Sequence, residues 1–178
     1  MFKFLLALYF TFLVYNEPPM VWRESYKLSW SDFKGEPNYE VSASAITASG
    51  ISFRFSITEK DAHIMSFTTE VLCHFYPEKS WYKPDERSDT LLKHEQLHFD
   101  ITELHARKLR YAIAELKVSK SLKKELKTLN NRVIKALTAM QKRYDNETNY
   151  SRNDESQIKW QTFVSEELEK LSQFKSKP

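Results

Sequence analysis

The sequence predicts an α+β fold: a small antiparallel sheet, then a long helix that forms an antiparallel hairpin with a second one, then a C-terminal helix. Three observations carry this. Ile51, Phe53, Phe55 and Ile57 alternate with Ser52, Arg54 and Ser56, and Met65, Phe67, Thr69, Val71, Cys73 and Phe75 repeat the pattern, which is the period of half-buried strands. From Ser88 to Val118 there is no Gly or Pro, and Leu, Glu, Lys, Arg and Ala dominate, as a long helix requires. Strands come first and helices after, an order that packs helices on one side of a sheet.

The elements follow in chain order. Met1-Phe2-Lys3 precedes an apolar run from Phe4 to Tyr15 and then Asn16-Glu17-Pro18-Pro19, the charged start and apolar length of a signal peptide or N-terminal anchor over residues 1–18. That run is too short to span a bilayer comfortably. Residues 19–178 suit a single domain with a real core. A strand is expected from Val41 to Ala48, with Gly50 as the turn out of it and Glu59-Lys60-Asp61 as the next turn. Pro84 and Asp85 announce the first helix, with Ser88 or Asp85 as its N-cap. A second helix starts near Ser119 or Ser121 and carries the seam Leu122, Leu126, Leu129, Val133, Leu137, Met140 and Tyr144. The short joint makes the pair an antiparallel hairpin. A third helix, from about Asn153 to Leu171, would bury Ile158, Val164, Leu168 and Leu171.

Composition narrows the function. Twenty-seven Lys and Arg against 24 Asp and Glu leave a net charge of +3, with the signs interspersed, so no nucleic-acid partner is indicated. The basic stretch from Lys117 to Lys124 reads as a solvated turn. The single Cys73 cannot form an internal disulfide and reads as a core residue.

The chemistry lies in His94-Glu95-Gln96-Leu97-His98. Two His four apart stand one helical turn apart on the same face and can close on a single zinc ion, while Glu95 can act as general base toward a water there. At roughly 100° per residue, Leu91, His98, Ile101, His105, Ala112 and Leu116 lie within about 60° of His94, so the histidines share the inward face. His105 is on that face but roughly 10 Å farther along the axis than His98, too far to share the ion. Glu103 lies opposite and reads as a surface ion pair with Arg107, and Asp100 also faces away. No Gly and third His follow at metzincin spacing, so a third ligand must come from elsewhere. Folding the hairpin about residue 119 sets His94 across from Tyr144 and His98 across from Met140. The segment from Tyr144 to Tyr150 is therefore where an oxygen ligand or an oxyanion stabiliser is expected, with Asp145 and Tyr150 the provisional choices. His63 and His74 read as surface residues near strand ends or on a polar face.

Trp30-Ser31-Asp32-Phe33-Lys34-Gly35, the Ala/Ser-rich strand ending in Gly50-Ile51, Ser80-Trp81, Leu91-Leu92-Lys93-His94-Glu95-Gln96, His98 to Leu104 and Ala106-Arg107-Lys108-Leu109 together resemble a bacterial envelope family. It is a domain of unknown function described as predicted secreted zinc-dependent proteases, and the likeness runs from about Leu28 to Leu171. The resemblance implies a zincin-like domain outside the cytoplasm, periplasmic or secreted. It also implies a Zn2+ cofactor, a peptide or protein substrate, and membrane contact only through an uncleaved leader. One position departs from the family pattern. After the second helix that pattern reads Tyr-Asp-x-x-Thr-x-His, then a Gln and a Trp. Tyr144, Asp145, Thr148, Gln157 and Trp160 fit it, but Tyr150 stands where the His would be. If that His is the family's third ligand, Asp145 or Glu147 takes over, or affinity falls, or the protein is no longer a peptidase. The expected function is a zinc metallopeptidase of the envelope. The alternatives are a non-catalytic zinc-binding module with a degraded third-ligand position, and a metal-free adaptor.

Overall fold

Period-two alternation through the middle of the chain produces one long β-hairpin, and everything else is arranged around it. The computed structural model describes residues 17–176. In chain order its elements are β1 (Met20–Val21), β2 (Ala45–Ile46), β3 (Ser49–Lys60), β4 (His63–Phe75), β5 (Trp81–Tyr82), α1 (Asp89–Ala114), α2 (Leu122–Glu147) and α3 (Asp154–Lys170). The architecture is α+β, with a small antiparallel sheet and three helices. The signal-peptide expectation falls on residues 1–18, almost all of which lie outside the described ones. Among the described residues no helix is long and apolar enough to cross a membrane.

The main sheet has the order β1-β4-β3, antiparallel throughout, with Ile51 opposite Cys73 and Phe53 opposite Val71. The hairpin turns at Asp61-Ala62, both with positive φ (50° and 61°), the two-residue geometry whose twist matches that of the flanking strands. Gly50 is not a turn. It lies inside β3 opposite His74, its φ is not positive, and a Cβ there would meet the Tyr76 ring at 3.4 Å. The strand expected from Val41 to Ala48 shortens to Ala45–Ile46, because that segment pairs with β5 instead (Ala45 with Tyr82, Ile46 with Trp81) and leaves the main sheet.

Ser88 caps α1, its Oγ accepting from the Leu91 amide at 3.1 Å. This helix is central, touching α2, α3, β3 and β4. Between it and the sheet lies one core cluster, with Cys73, Phe75, Phe99 and Leu109 buried. Between it and the other helices lies a second, containing Leu97, Ile101, Leu137, Tyr144, Trp160 and Val164. Burial on all sides overturns the expected surface pair of Glu103 and Arg107. Glu103 is fully buried and its carboxylate is shared by Arg107 Nε and Arg110 Nη1, each at 3.0 Å. Arg107 also donates to the Leu168 carbonyl, and Arg110 to those of Val71 and Phe174, so the group clasps α1 to β4 and to the chain's end. Asp100 faces away from the histidines as expected, accepting from Trp22 Nε1 and Gln96 Nε2.

Asn153 caps α3 through the Ser156 amide. Its buried face is Gln157, Trp160 and Val164, with Leu168 packed alongside, while Ile158 is 62% exposed. Ile158 was expected inside. The 157, 160, 164, 168 spacing prevails because the Trp160 indole fills the gap beside Tyr144, their rings 5.3 Å apart, and Gln157 has polar partners in the core.

Candidate metal centre

Three helices meet where the His pair of α1 faces the last turns of α2 and the first turn of α3. His98 Nε2 lies 2.9 Å from Asp145 Oδ1, His94 Nε2 lies 3.2 Å from the same oxygen, and the two Nε2 atoms are 3.1 Å apart. Around a tetrahedral zinc with bonds of about 2.0–2.1 Å, donor atoms stand roughly 3.3 Å apart, so the triangle is close to that size. Among the described residues this is the cluster of three His, Cys, Asp or Glu side chains able to share an ion.

The far side of each ring is also held. Gln141 Oε1 accepts from His98 Nδ1 at 2.5 Å, and Gln157 Oε1 accepts from His94 Nδ1 at 3.1 Å. With the protons at Nδ1, two Nε2 lone pairs and a carboxylate oxygen converge, three acceptors with no donor between them. Such a set is satisfied by a cation or by a further proton on an imidazole Nε2. Burial alone would lower the His98 pKa, but the Asp145 hydrogen bond and the charges of Glu95 and Asp145 outweigh it and raise it. Burial works against the Asp145 carboxylate too, yet the two imidazoles hold its pKa well below the usual range.

Tyr144 roofs the site from within. Its ring stacks on His94 with centroids 4.5 Å apart, and burial drives its phenol pKa far upward. Its hydroxyl donates to Gln157 Oε1 at 2.8 Å, and it does not line the cleft, so it is not placed to serve an oxyanion there.

The triangle opens into a cleft of about 550 Å³. Residues 42–47 and Ser49 form one wall, and Asn149, Tyr150 and Arg152 another. Glu95 lies in the lining beside the His pair, only 3% exposed, and its Oε2 has no hydrogen-bond partner. A buried carboxylate oxygen without a donor calls for a water or a ligand proton.

Tyr150 lies on the cleft lining, 56% exposed, and is not part of the triangle. It belongs to a left-handed turn, Asn149-Tyr150-Ser151, with φ of 47°, 53° and 71°. Such residues cost on the order of 1–3 kcal/mol each and persist only where surroundings over-determine them. Here the Tyr150 amide donates to the Asp145 carbonyl and the Asn153 amide to that of Thr148, both at 2.9 Å, which closes the α2–α3 connection and brings Gln157 onto His94. Glu147, the other possible third ligand, accepts from Trp160 Nε1 and pairs with Arg143 away from the triangle. His105 donates to the Ile101 carbonyl and is remote from the cluster. His63 is exposed, and half-buried His74 pairs with Ser52.

A family model described as a bacterial protein of unknown function, DUF922, matches residues 31–154. The chain belongs to this family. The matched span holds His94, Glu95, His98, Gln141, Asp145 and Tyr150, while Gln157 and Trp160 of this DUF922 chain lie beyond it. No curated protein and no solved structure matches the chain.

Two parts of the DUF922 site escape sequence reasoning. Gln157 fits the family pattern but carries no chemistry that spacing could reveal, and Gln141 has only its position one turn before Asp145 to mark it. Residues 42–47 form a cleft wall only because β2 leaves the main sheet to pair with β5.

Proposed function

We propose that this DUF922 protein is a zincin-like, zinc-dependent peptidase of the bacterial cell envelope. The observation that carries the reading is the convergence of His94 Nε2, His98 Nε2 and Asp145 Oδ1 beside the unpartnered Glu95 Oε2 in one cleft. Two imidazoles and a carboxylate are a familiar donor set for catalytic zinc and leave a position open. His94, His98 and Asp145 would hold the ion. Zinc, when bound there, acidifies water and polarises a carbonyl.

The remaining steps belong to the chain. Glu95 Oε2 takes a proton from the attacking water as the C–O bond forms, and returns it to the leaving amine as the C–N bond breaks. Its burial keeps competing donors away from that oxygen. The wall at residues 42–47 includes the two-residue strand Ala45–Ile46, an edge against which a peptide can lie by strand addition. Tyr150, also on the cleft lining, is available to donate a hydrogen bond to substrate. Location in the envelope rests on the apolar leader of residues 1–18.

The test is zinc content per chain, then hydrolysis of a panel of quenched fluorescent peptides by wild type and Glu95→Gln. One zinc per chain, lost in His98→Ala, with peptide turnover that disappears in Glu95→Gln while zinc stays, is the expected result. Zinc without turnover on any peptide would replace the peptidase with a zinc-stabilised binding protein. No zinc at all would overturn the metal centre.

A further inference from the structure

A neutral imidazole has one N–H, and the nitrogen that carries it decides which nitrogen can ligate a metal. In this protein that choice is made by side-chain amides from two other helices. Gln141 lies one turn before Asp145 on α2, so a single face of that helix supplies both a carboxylate to the triangle and a contact to the far edge of His98. The amide orientation of Gln141 is decided independently of the imidazole. Its Nε2 donates to the His98 carbonyl at 2.8 Å and to Thr102 Oγ1 at 3.1 Å, and Thr102 Oγ1 in turn donates to the same carbonyl at 3.0 Å. Reversing the amide would set its oxygen against the carbonyl, two acceptors face to face. Gln141 Oε1 therefore faces His98 Nδ1 and requires a proton there.

Gln157 meets the corresponding edge of His94 from the first turn of α3. It is 3% exposed, and its Oε1 accepts from both Tyr144 Oη at 2.8 Å and His94 Nδ1 at 3.1 Å. Tyr144, fully buried and stacked on His94, has its hydroxyl 2.8 Å from that oxygen and 3.3 Å from the His94 carbonyl, while Gln157 Nε2 is buried without a partner. Both glutamines are uncharged, so Asp145 supplies the only formal negative charge among the ligands and the groups that orient them.

We infer that Gln141 and Gln157 are positioning residues that hold His98 and His94 in the Nδ1–H form and so commit both Nε2 atoms to one ion, an inference that rests on the metal-centre reading above. Gln157 lies on α3, outside the segment matched by the family model.

The experiment uses Gln141→Met and Gln157→Met, nearly isosteric side chains without the acceptor. Zinc affinity is read by competition with a chromophoric chelator. Each Met variant should bind zinc about 10–100-fold more weakly, the range for removing a group that orients a ligand. The second readout is the long-range ¹H–¹⁵N spectrum of the imidazoles in zinc-free protein, recorded across a pH series to find the neutral form. Wild-type His98 should carry its proton on Nδ1, and Gln141→Met should shift it toward Nε2. Wild-type zinc affinity in both Met variants, or a wild-type His98 protonated on Nε2, would overturn the inference. A wild type that binds no zinc removes the metal centre instead, and the spectrum still decides whether Gln141 sets the imidazole.

Discussion

Glu103→Gln should destabilise the protein by about 3–5 kcal/mol, the cost of breaking a buried ion pair from one side. Glu103 has no exposed surface, and Arg107 is 2% exposed. Arg107 Nη2 already lacks a partner, so the guanidinium has no spare contact to absorb the loss. The substitution leaves two guanidinium groups, at Arg107 and Arg110, facing an amide that carries no charge. Had the pair lain on the surface, as the (i, i+4) spacing suggested, the cost would be roughly 0.3–0.5 kcal/mol. The two cases differ by nearly tenfold. For a domain of this size, about 2–4 °C per kcal/mol converts the buried case into a fall of roughly 6–20 °C in Tm. Urea unfolding followed by circular dichroism, in zinc-free buffer so that metal does not mask the change, gives the free energy directly. A loss below about 1 kcal/mol would refute the argument that this cluster is a buried clasp. Glu155→Gln, which removes a fully exposed pair with Lys159, serves as the control and should leave the midpoint unchanged.

Other expectations follow from the site. Asp145→Ala should release zinc as completely as His98→Ala does, whereas Tyr150→Phe should keep it, since Tyr150 is on the rim and outside the triangle; elemental analysis reads both, and zinc loss in Tyr150→Phe would make the tyrosine a ligand. Glu95→Gln should retain zinc and lose about 10²–10⁴-fold in peptide hydrolysis, the usual contribution of a general base, and full turnover in that variant would remove Glu95 from the chemistry. The buried His105 gives a pH signature. Burial lowers its pKa, with Lys108 adding to the shift and the Ile101 carbonyl opposing it. The unfolded chain therefore takes up this proton first. Stability is full above about pH 6.5, and falls as pH drops from there toward the depressed folded value. Urea midpoints across this window should slope less in His105→Gln than in wild type, and equal slopes would exclude His105 as a contributor.

What the chain determines by itself is local and periodic. Ser88 as the cap of α1, the shared face of His94 and His98, the β3–β4 pairing, Cys73 in the core and the reversal between α1 and α2 all depend on contacts within about a turn, or on a periodicity repeated many times. The hairpin argument also pointed to the segment that the fold brings beside the histidines, one residue from Tyr144. It could not choose among Asp145, Glu147 and Tyr150, because a helix end turns each residue about 100° from the last, and small differences in axial rotation decide which one faces inward. The tertiary structure decided that Asp145 meets the histidines while Trp160 and Arg143 engage Glu147. It also decided that Glu103 is buried, that Ile158 is outside, and that residues 42–47 wall a cleft. Each of these is set by a neighbour far along the chain. The middle of α1, buried from Ile101 to Arg107, has no solvent face for a two-sided periodicity to reveal, and a glutamine becomes part of a site only when distant helices bring its amide to an imidazole.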